Sequence, residues 1–308
     1  MPVCTIPLNA LRAGKPPGQE QACAWCARLE AGEILYFPET PAPIPPSDLK
    51  FLLSARQTGS ALHKNIAYKP NRDQLSGFDA RTTDAVEVEQ LLAVMRRYSA
   101  NVAAFLRDFL APYREHWVLD YASFRPLEEQ GRDLALRKRN DMLHTDAFPT
   151  RPTRGRRILR FFHNIHPTRT RDWIVSQPFA QTVGAFAPGR LAIPHPDGAL
   201  AGAGKRLAQA LGLGALIPQI KRTPYDQFMM ELHNAMKENA EFQRDCVKES
   251  VEFPPGSSWM VFTETVPHAV LAGQYALEQT FLVDPAVMVM PGSAPVAILE
   301  KMAGARLV

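Results

Sequence analysis

Between Asp84 and Leu110 apolar residues recur at Val88, Leu91, Leu92, Met95, Val102, Phe105, Leu106 and Phe109. That spacing is the 3.6-residue period of a helix with one buried stripe, and Asp84 followed by Glu87 fits a capping box at its start. The pattern predicts a long amphipathic helix that braces the outside of a sheet. From Trp117 onward the period changes. Strands are predicted over Trp117–Phe124, Asp141–Phe148, Arg157–Ile165, Asp172–Ser176, Ser258–Val261 and Glu278–Val283, separated by Gly and Pro turns. Short strands at such intervals suit a β-sandwich or jelly roll better than a βαβ array. A helical insertion is expected from about Leu200 to Ser250, with helices over Tyr225–Met236 and Glu238–Val247. Residues 1–85 read as an irregular cover, because the strand-like Glu33–Phe37 runs into the proline-rich stretch 38–46, where regular helix is forbidden. The apolar segment Val296–Val308 reads as a packed terminal element. The expected fold is α+β: one domain over residues 1–308, with a double-stranded β-helix (jelly-roll) core at 117–285, bracing helices and the insertion.

Composition narrows the class. The chain has 308 residues, 46% hydrophobic and 21% charged, which is enough to bury a sizeable core in an ordinary globular protein. Its 27 prolines argue against an all-helical fold. No apolar run approaches the roughly 20 residues needed to span a bilayer. Four cysteines without a secretory signal ahead of them exclude a disulfide scaffold and suggest a reducing, cytoplasmic setting. Cys23 and Cys26 have the spacing of half a zinc or redox motif, yet no second pair completes it, so they read as incidental thiols. Gly198, Gly202 and Gly204 before Lys205 fail as a phosphate loop on spacing and on the missing Ser or Thr. The formal charge of +4 is mild, and no nucleic-acid partner is expected. The cations cluster, however, over Arg132–Arg139 and Arg151–Arg160. Such clusters are either a solvated face or a mouth that receives an anionic substrate.

These clusters flank Asn140-Asp141-Met142-Leu143-His144-Thr145-Asp146-Ala147-Phe148. Residues two apart on a strand project from one face, so His144 and Asp146 can converge on one ion. A second histidine would complete the 2-His-1-carboxylate set that leaves positions open on Fe(II). His268 is the candidate: it stands in Val266-Pro267-His268, after the turn at Pro254–Ser257 and an apolar strand, 268 − 146 = 122 residues beyond Asp146. Fe(II)/2-oxoglutarate oxygenases present His-x-Asp and then His in this order. They also need a cation for the distal carboxylate of 2-oxoglutarate, since an unpartnered buried carboxylate is costly. Most such families place an arginine roughly a dozen residues after the second histidine; Gln279 stands there instead. Arg160, which strand alternation puts on one face with Phe162 and Asn164, is the expected anchor, with Asn164 and Gln279 as hydrogen-bonding neighbours. The alternative for Arg160 is a surface strand arginine. His163 and His166 are three apart and face opposite ways, so both read as surface or outer residues, and His233 as a packing or surface residue of the insertion.

The run Arg137 to Pro149, then Gly155 to Phe162, resembles the Kdo hydroxylases, and so do Lys64–Tyr68, Pro224–Asp226 and Leu277–Phe281. The likeness covers about residues 30–285. It implies an Fe(II)/2-oxoglutarate-dependent dioxygenase that consumes O2, releases succinate and hydroxylates C3 of 3-deoxy-D-manno-oct-2-ulosonic acid (Kdo) in Kdo-bearing lipid A. The resemblance carries the metal positions to His144, Asp146 and His268. Arg125, Arg137 and Arg139 are expected to meet the sugar carboxylate or lipid A phosphates, since guanidinium forks bind such anions bidentately. A cytoplasmic enzyme with peripheral contact to the inner membrane is the matching location. An oxygenase for another anionic metabolite and a non-catalytic jelly-roll sugar-binding protein remain open as alternatives.

Overall fold

A computed structural model describes residues 3–7, 17–54, 65–78, 84–196, 198 and 218–308. Eleven strands in it form two sheets: β1 Val3–Thr5, β2 Ile34–Phe37, β3 Ile66–Lys69, β4 Gln74–Ser76, β5 Trp117–Arg125, β6 Arg157–Asn164, β7 Arg171–Val175, β8 Glu249–Phe253, β9 Ser258–Phe262, β10 His268–Ala272 and β11 Ala276–Val283. The larger sheet has the order β1-β2-β9-β6-β11-β5-β3-β4, and the smaller β10-β7-β8. All neighbours are antiparallel except β1 and β2.

Alternation on β6 sorts the two faces of the large sheet. Leu159 and Phe161 join Met260, Phe262, Leu277 and Phe281 in the main core, which is closed from outside by the helix α3, Ala85–Phe109. The stripe predicted from sequence is the buried one: Leu91, Met95, Val102, Leu106 and Phe109 all point inward. Asp84 caps this helix by accepting from the N–H of Val86, a single cap rather than a reciprocal box. Phe162 on the other face meets Trp173, Val175, Phe253, Trp259, Val261 and Val270, an apolar cluster that joins the two sheets. Phe253 and Trp259 stack at 3.7 Å between ring centroids.

Three expectations need correction. Residues 1–85 are not irregular: their described part carries β1–β4 and the helices α1 Gln19–Glu30 and α2 Pro46–Ser54. Pro46 opens α2, where its missing N–H costs nothing, so the proline run starts a helix. Secondly, Asp141–Phe148 is not a regular strand; it touches β10 through one isolated antiparallel bridge, His144 to His268. Thirdly, the second helix of the insertion is shorter than Glu238–Val247, running Ala240–Asp245, while the insertion ends as expected where β8 begins at Glu249. Among its described residues lie α5 Pro224–Glu238 and α6 Ala240–Asp245, while residues 199–217, including Gly202, Gly204 and Lys205, lie outside the described part.

The insertion is tied to the loop before β6. Thr223 and Asp226 form a true capping box on α5. The other carboxylate oxygen of Asp226 accepts from the N–H groups of Thr153 and Arg154 at 2.8 and 3.0 Å. The C-terminal segment is packed as expected: α7, Pro295–Ala303, buries Val296 and Leu299 against α4, Phe179–Phe186, and the flank of α5. Among the described residues no helix is long and apolar enough to cross a membrane.

Candidate metal centre and anion cavity

His144 and Asp146 lie on the extended segment beside the start of β10, where His268 stands. The bridge between His144 and His268 is double: each N–H donates to the other's carbonyl, at 3.1 and 2.9 Å. Asp146 N–H then donates to Thr263 O at 3.0 Å, so the segment runs along the edge of the fold without drifting. One ligand atom from each of His144, Asp146 and His268 falls within 4.8 Å of the others.

Both imidazoles are oriented in the same way. Nδ1 of His144 meets Met142 O at 2.7 Å, and Nδ1 of His268 meets Val266 O at 2.9 Å. A carbonyl can only accept, so Nδ1 carries the proton in each ring and Nε2 keeps its lone pair for a metal. Burial, helped by the neighbouring imidazoles and the Lys237 ammonium, holds His144 well below the usual histidine range; burial also lowers His268. Burial alone would raise the carboxyl of Asp146, but the Arg160 guanidinium and the two imidazoles outweigh it and hold it well below the usual range. Two neutral imidazoles and one carboxylate, each buried, are the donor set that fits Fe(II).

A cavity of about 520 Å³ opens over β3, β5 and β11 and is linked to Asp146 through Arg160, which lines it. Lys69, Arg125, Arg151 and Arg160 line it together with Tyr121 and Glu278. Glu278 is the hub: its Oε1 lies 2.8 Å from Arg160 Nη1, and its Oε2 2.5 Å from Arg125 Nη2. These two guanidinium groups hold the Glu278 carboxyl below its usual range against the opposite pull of burial. Arg151 pairs with Asp120 and stacks on the rings of Tyr121 and Phe148.

The structure brings Arg160 and Arg125 to this cavity but not Asn164 or Gln279. Asn164 shares the Arg160 face, as alternation requires, yet its amide is spent on Phe253 O and Arg169 O, both at 2.9 Å, locking a turn. Gln279 pairs with Phe161 and turns to the helix side, where its amide donates to Asp120 O and Thr280 O. Thr280 is the residue that stands across from Arg160. Arg137 and Arg139 remain outside the cavity, paired with Glu238 and Asp141.

Of the other histidines, His163 is buried on the face of Leu159 and Phe161 and not at the surface, and burial pushes it down to about 4. His166 accepts from the N–H of Arg169 at 2.9 Å in the turn after β6. His233 comes nearer the centre than expected, its ring edge-on to His144 with centroids 5.0 Å apart. One turn further along α5, Lys237 is buried, donates to Arg137 O at 3.1 Å, and is pushed down to about 8 by burial. Cys26 is a free, buried thiol raised to about 12 by burial, which suits an inert packing residue. Lys69, Tyr121, Arg151 and Glu278 were missed as site residues, although β11 alternation puts Glu278 and Thr280 on one face.

The whole chain superposes on solved structures of KdoO, a Kdo hydroxylase described as a non-heme Fe(II) α-ketoglutarate-dependent dioxygenase. The cobalt(II) complex is 33% identical with a TM-score of 0.84, covering 100% of this chain and 98% of that one. The complex with α-ketoglutarate and Fe(III) is 32% identical with a TM-score of 0.82, covering 99% and 97%. No curated protein matches the sequence. The family described as 3-deoxy-D-manno-oct-2-ulosonic acid (Kdo) hydroxylase matches residues 13–306, and this chain belongs to that family.

Proposed function

We propose that this protein hydroxylates C3 of a Kdo residue carried on lipid A, with Fe(II) held by His144, Asp146 and His268. Family membership gives the reaction class, an Fe(II)/2-oxoglutarate-dependent dioxygenase acting on Kdo. The observation that carries the residue assignment is the convergence of three donor atoms within 4.8 Å, with Asp146 paired to Arg160, a residue of the cation-lined cavity. Iron with 2-oxoglutarate supplies the oxygen activation that ends in succinate and a hydroxylated substrate. The chain's own residues do the rest. His144 and His268 are preset by their Nδ1–H···O=C bonds, so no proton has to leave before they ligate. Asp146 fills the third position with a carboxylate, which keeps that position from an exchangeable anion. Arg160 is the anchor for the 2-oxoglutarate carboxylate, supported by Arg125 and Lys69 further along the cavity.

Two sheets facing across an aromatic cluster, with the metal ligands at their open edge, support a double-stranded β-helix core. Arg137 and Arg139, exposed beside the ligand segment, are suited to exchange their surface carboxylate partners for a phosphate of the acceptor. This placement fits a cytoplasmic enzyme that meets its lipid-borne substrate by peripheral contact with the inner membrane.

The test is an assay of the purified protein with Fe(II), 2-oxoglutarate and Kdo-lipid A, read by succinate release and by mass spectrometry of the lipid. One added oxygen on Kdo is expected, abolished in His268→Ala. Succinate release stimulated only by some free acid would move the substrate to another anionic metabolite, and no turnover of any kind would leave a sugar-binding protein.

A further inference from the structure

Among the described residues, the segment carrying His144 and Asp146 has a partner strand on one side only. Inward, both backbone groups of His144 bond His268, and the N–H of Asp146 donates to Thr263 O. Alternation turns the backbone groups of Leu143 and Thr145 outward, where a regular sheet would supply a second ladder. Side chains of the insertion stand there instead. Gln243 on α6 accepts from the N–H of Leu143 at 3.0 Å and donates its amide to Leu143 O at 2.9 Å. His233 on α5 takes the next outward carbonyl, donating from Nδ1 to Thr145 O at 2.7 Å. Gln243 also donates to Met236 O at 2.8 Å, which fixes its amide against the last turn of α5.

A primary amide offers one acceptor and two donors in a planar fork, the same presentation as a peptide group. Gln243 therefore occupies the place of one peptide of a missing strand, and it does so on the residue directly before a metal ligand. We propose that Gln243 is a positioning residue of the metal centre. By holding Leu143 extended it makes His144 and Asp146 project from one face, and by contacting Met236 it couples that geometry to the docking of the insertion helices. The inference rests on the assignment of His144, Asp146 and His268 as metal ligands.

Two variants separate its parts. Gln243→Met keeps the volume and removes the fork, whereas Gln243→Glu keeps an acceptor for Leu143 N–H and sets a second oxygen against Leu143 O. Arg244→Ala, which loses only a surface pair with Asp245, is the control. The metal-free proteins are titrated with Co(II), reading the visible absorption of the bound ion, and their folds are compared by circular dichroism. Both Gln243 variants are expected to bind Co(II) about 10- to 100-fold more weakly than wild type, the range typical when a group that orients metal ligands is lost. Their Co(II) spectra should change in shape as well, which a loss of general stability would not produce, while Arg244→Ala stays at wild-type affinity. Wild-type affinity and spectrum in a folded Gln243→Met would overturn the proposal, and that variant carries the test if Gln243→Glu fails to fold. A wild-type protein that binds no Co(II) would instead sink the ligand assignment itself.

Discussion

Asp146 turns its two carboxylate oxygens to different neighbours: Oδ2 lies 3.2 Å from Nε of Arg160, and Oδ1 faces Nε2 of His144 at 3.9 Å. One oxygen faces the metal position while the other stands in an ion pair with Arg160. The same guanidinium reaches Glu278 with Nη1, so Arg160 spans from the metal centre into the cavity.

Replacing Arg160 by Gln should therefore raise the KM for 2-oxoglutarate about 10- to 100-fold, because hydrogen bonds to charged groups contribute about 1.5–3 kcal/mol. Arg160→Lys keeps the charge without the fork and should fall between. Succinate release against 2-oxoglutarate concentration measures both, and an unchanged KM in Arg160→Gln would take the anchor away from Arg160.

Glu278 should matter for stability before it matters for catalysis. It is 3% exposed and serves two guanidinium groups at once, the buried Arg125 and the half-buried Arg160. Removing it takes one carboxylate from each guanidinium, leaving Arg160 with Asp146 and Arg125 with Glu129, so Glu278→Leu should lower the unfolding free energy by about 1.5–3 kcal/mol, the worth of hydrogen bonds to charged groups. Urea denaturation of the metal-free protein gives the value; a loss below about 1 kcal/mol would mean that water reaches both arginines.

Acid should destabilise the fold through His163. Its imidazole is 5% exposed and lowered by burial to about 4, from the ordinary histidine value of about 6.5. The folded state therefore resists protonation more than the unfolded chain. The stabilisation is complete above about pH 6.5 and is lost as pH falls toward 4, amounting to roughly 3 kcal/mol over that window. His163→Leu should flatten this part of the stability profile. The comparison is of urea midpoints at pH 7 and pH 5, and parallel profiles for the two proteins would rule out His163 as the cause.

Gly273 sits in the turn from β10 to β11 with φ +128°, and a Cβ there would meet Arg171 Cγ at 2.7 Å. Its carbonyl also accepts from Arg171 at 3.0 Å. Gly273→Ala should cost about 1–3 kcal/mol from backbone strain, with further loss from displacing Arg171. Thermal unfolding checks it, and an unchanged midpoint would mean that the turn relaxes freely.

The convergence of His144, Asp146 and His268 was legible in the sequence because His-x-Asp and a later Pro-His need only alternation and chain order to suggest a meeting point. The long helix α3 and most core strands were legible for the same reason, since each has a single clear period. The conformation of the 141–148 segment was not, because its outer partners are side chains about 100 residues away, at Gln243 and His233. Alternation correctly put Asn164 beside Arg160, but it could not say that the Asn164 amide is consumed by a turn. Gln279 lies one position from the cavity-facing Glu278 and Thr280 on β11, and a one-residue difference reverses the face, which distance from His268 alone does not reveal. In α1 the buried stripe is built from Ala22, Cys26 and Leu29, too weak a signal for periodicity to find.

The cavity's lining also bears on the timing of turnover. Four cations, Lys69, Arg125, Arg151 and Arg160, line the space, and the three arginines are shared among Asp120, Glu129, Asp146 and Glu278. A guanidinium group already holding a carboxylate can exchange it for a dianion, an attraction that loses strength as salt rises. It does not distinguish the two ends of the reaction, because succinate carries the same charge as 2-oxoglutarate. The departing acid is held by the field that drew in its precursor, so ionic strength should speed its exit while slowing co-substrate capture.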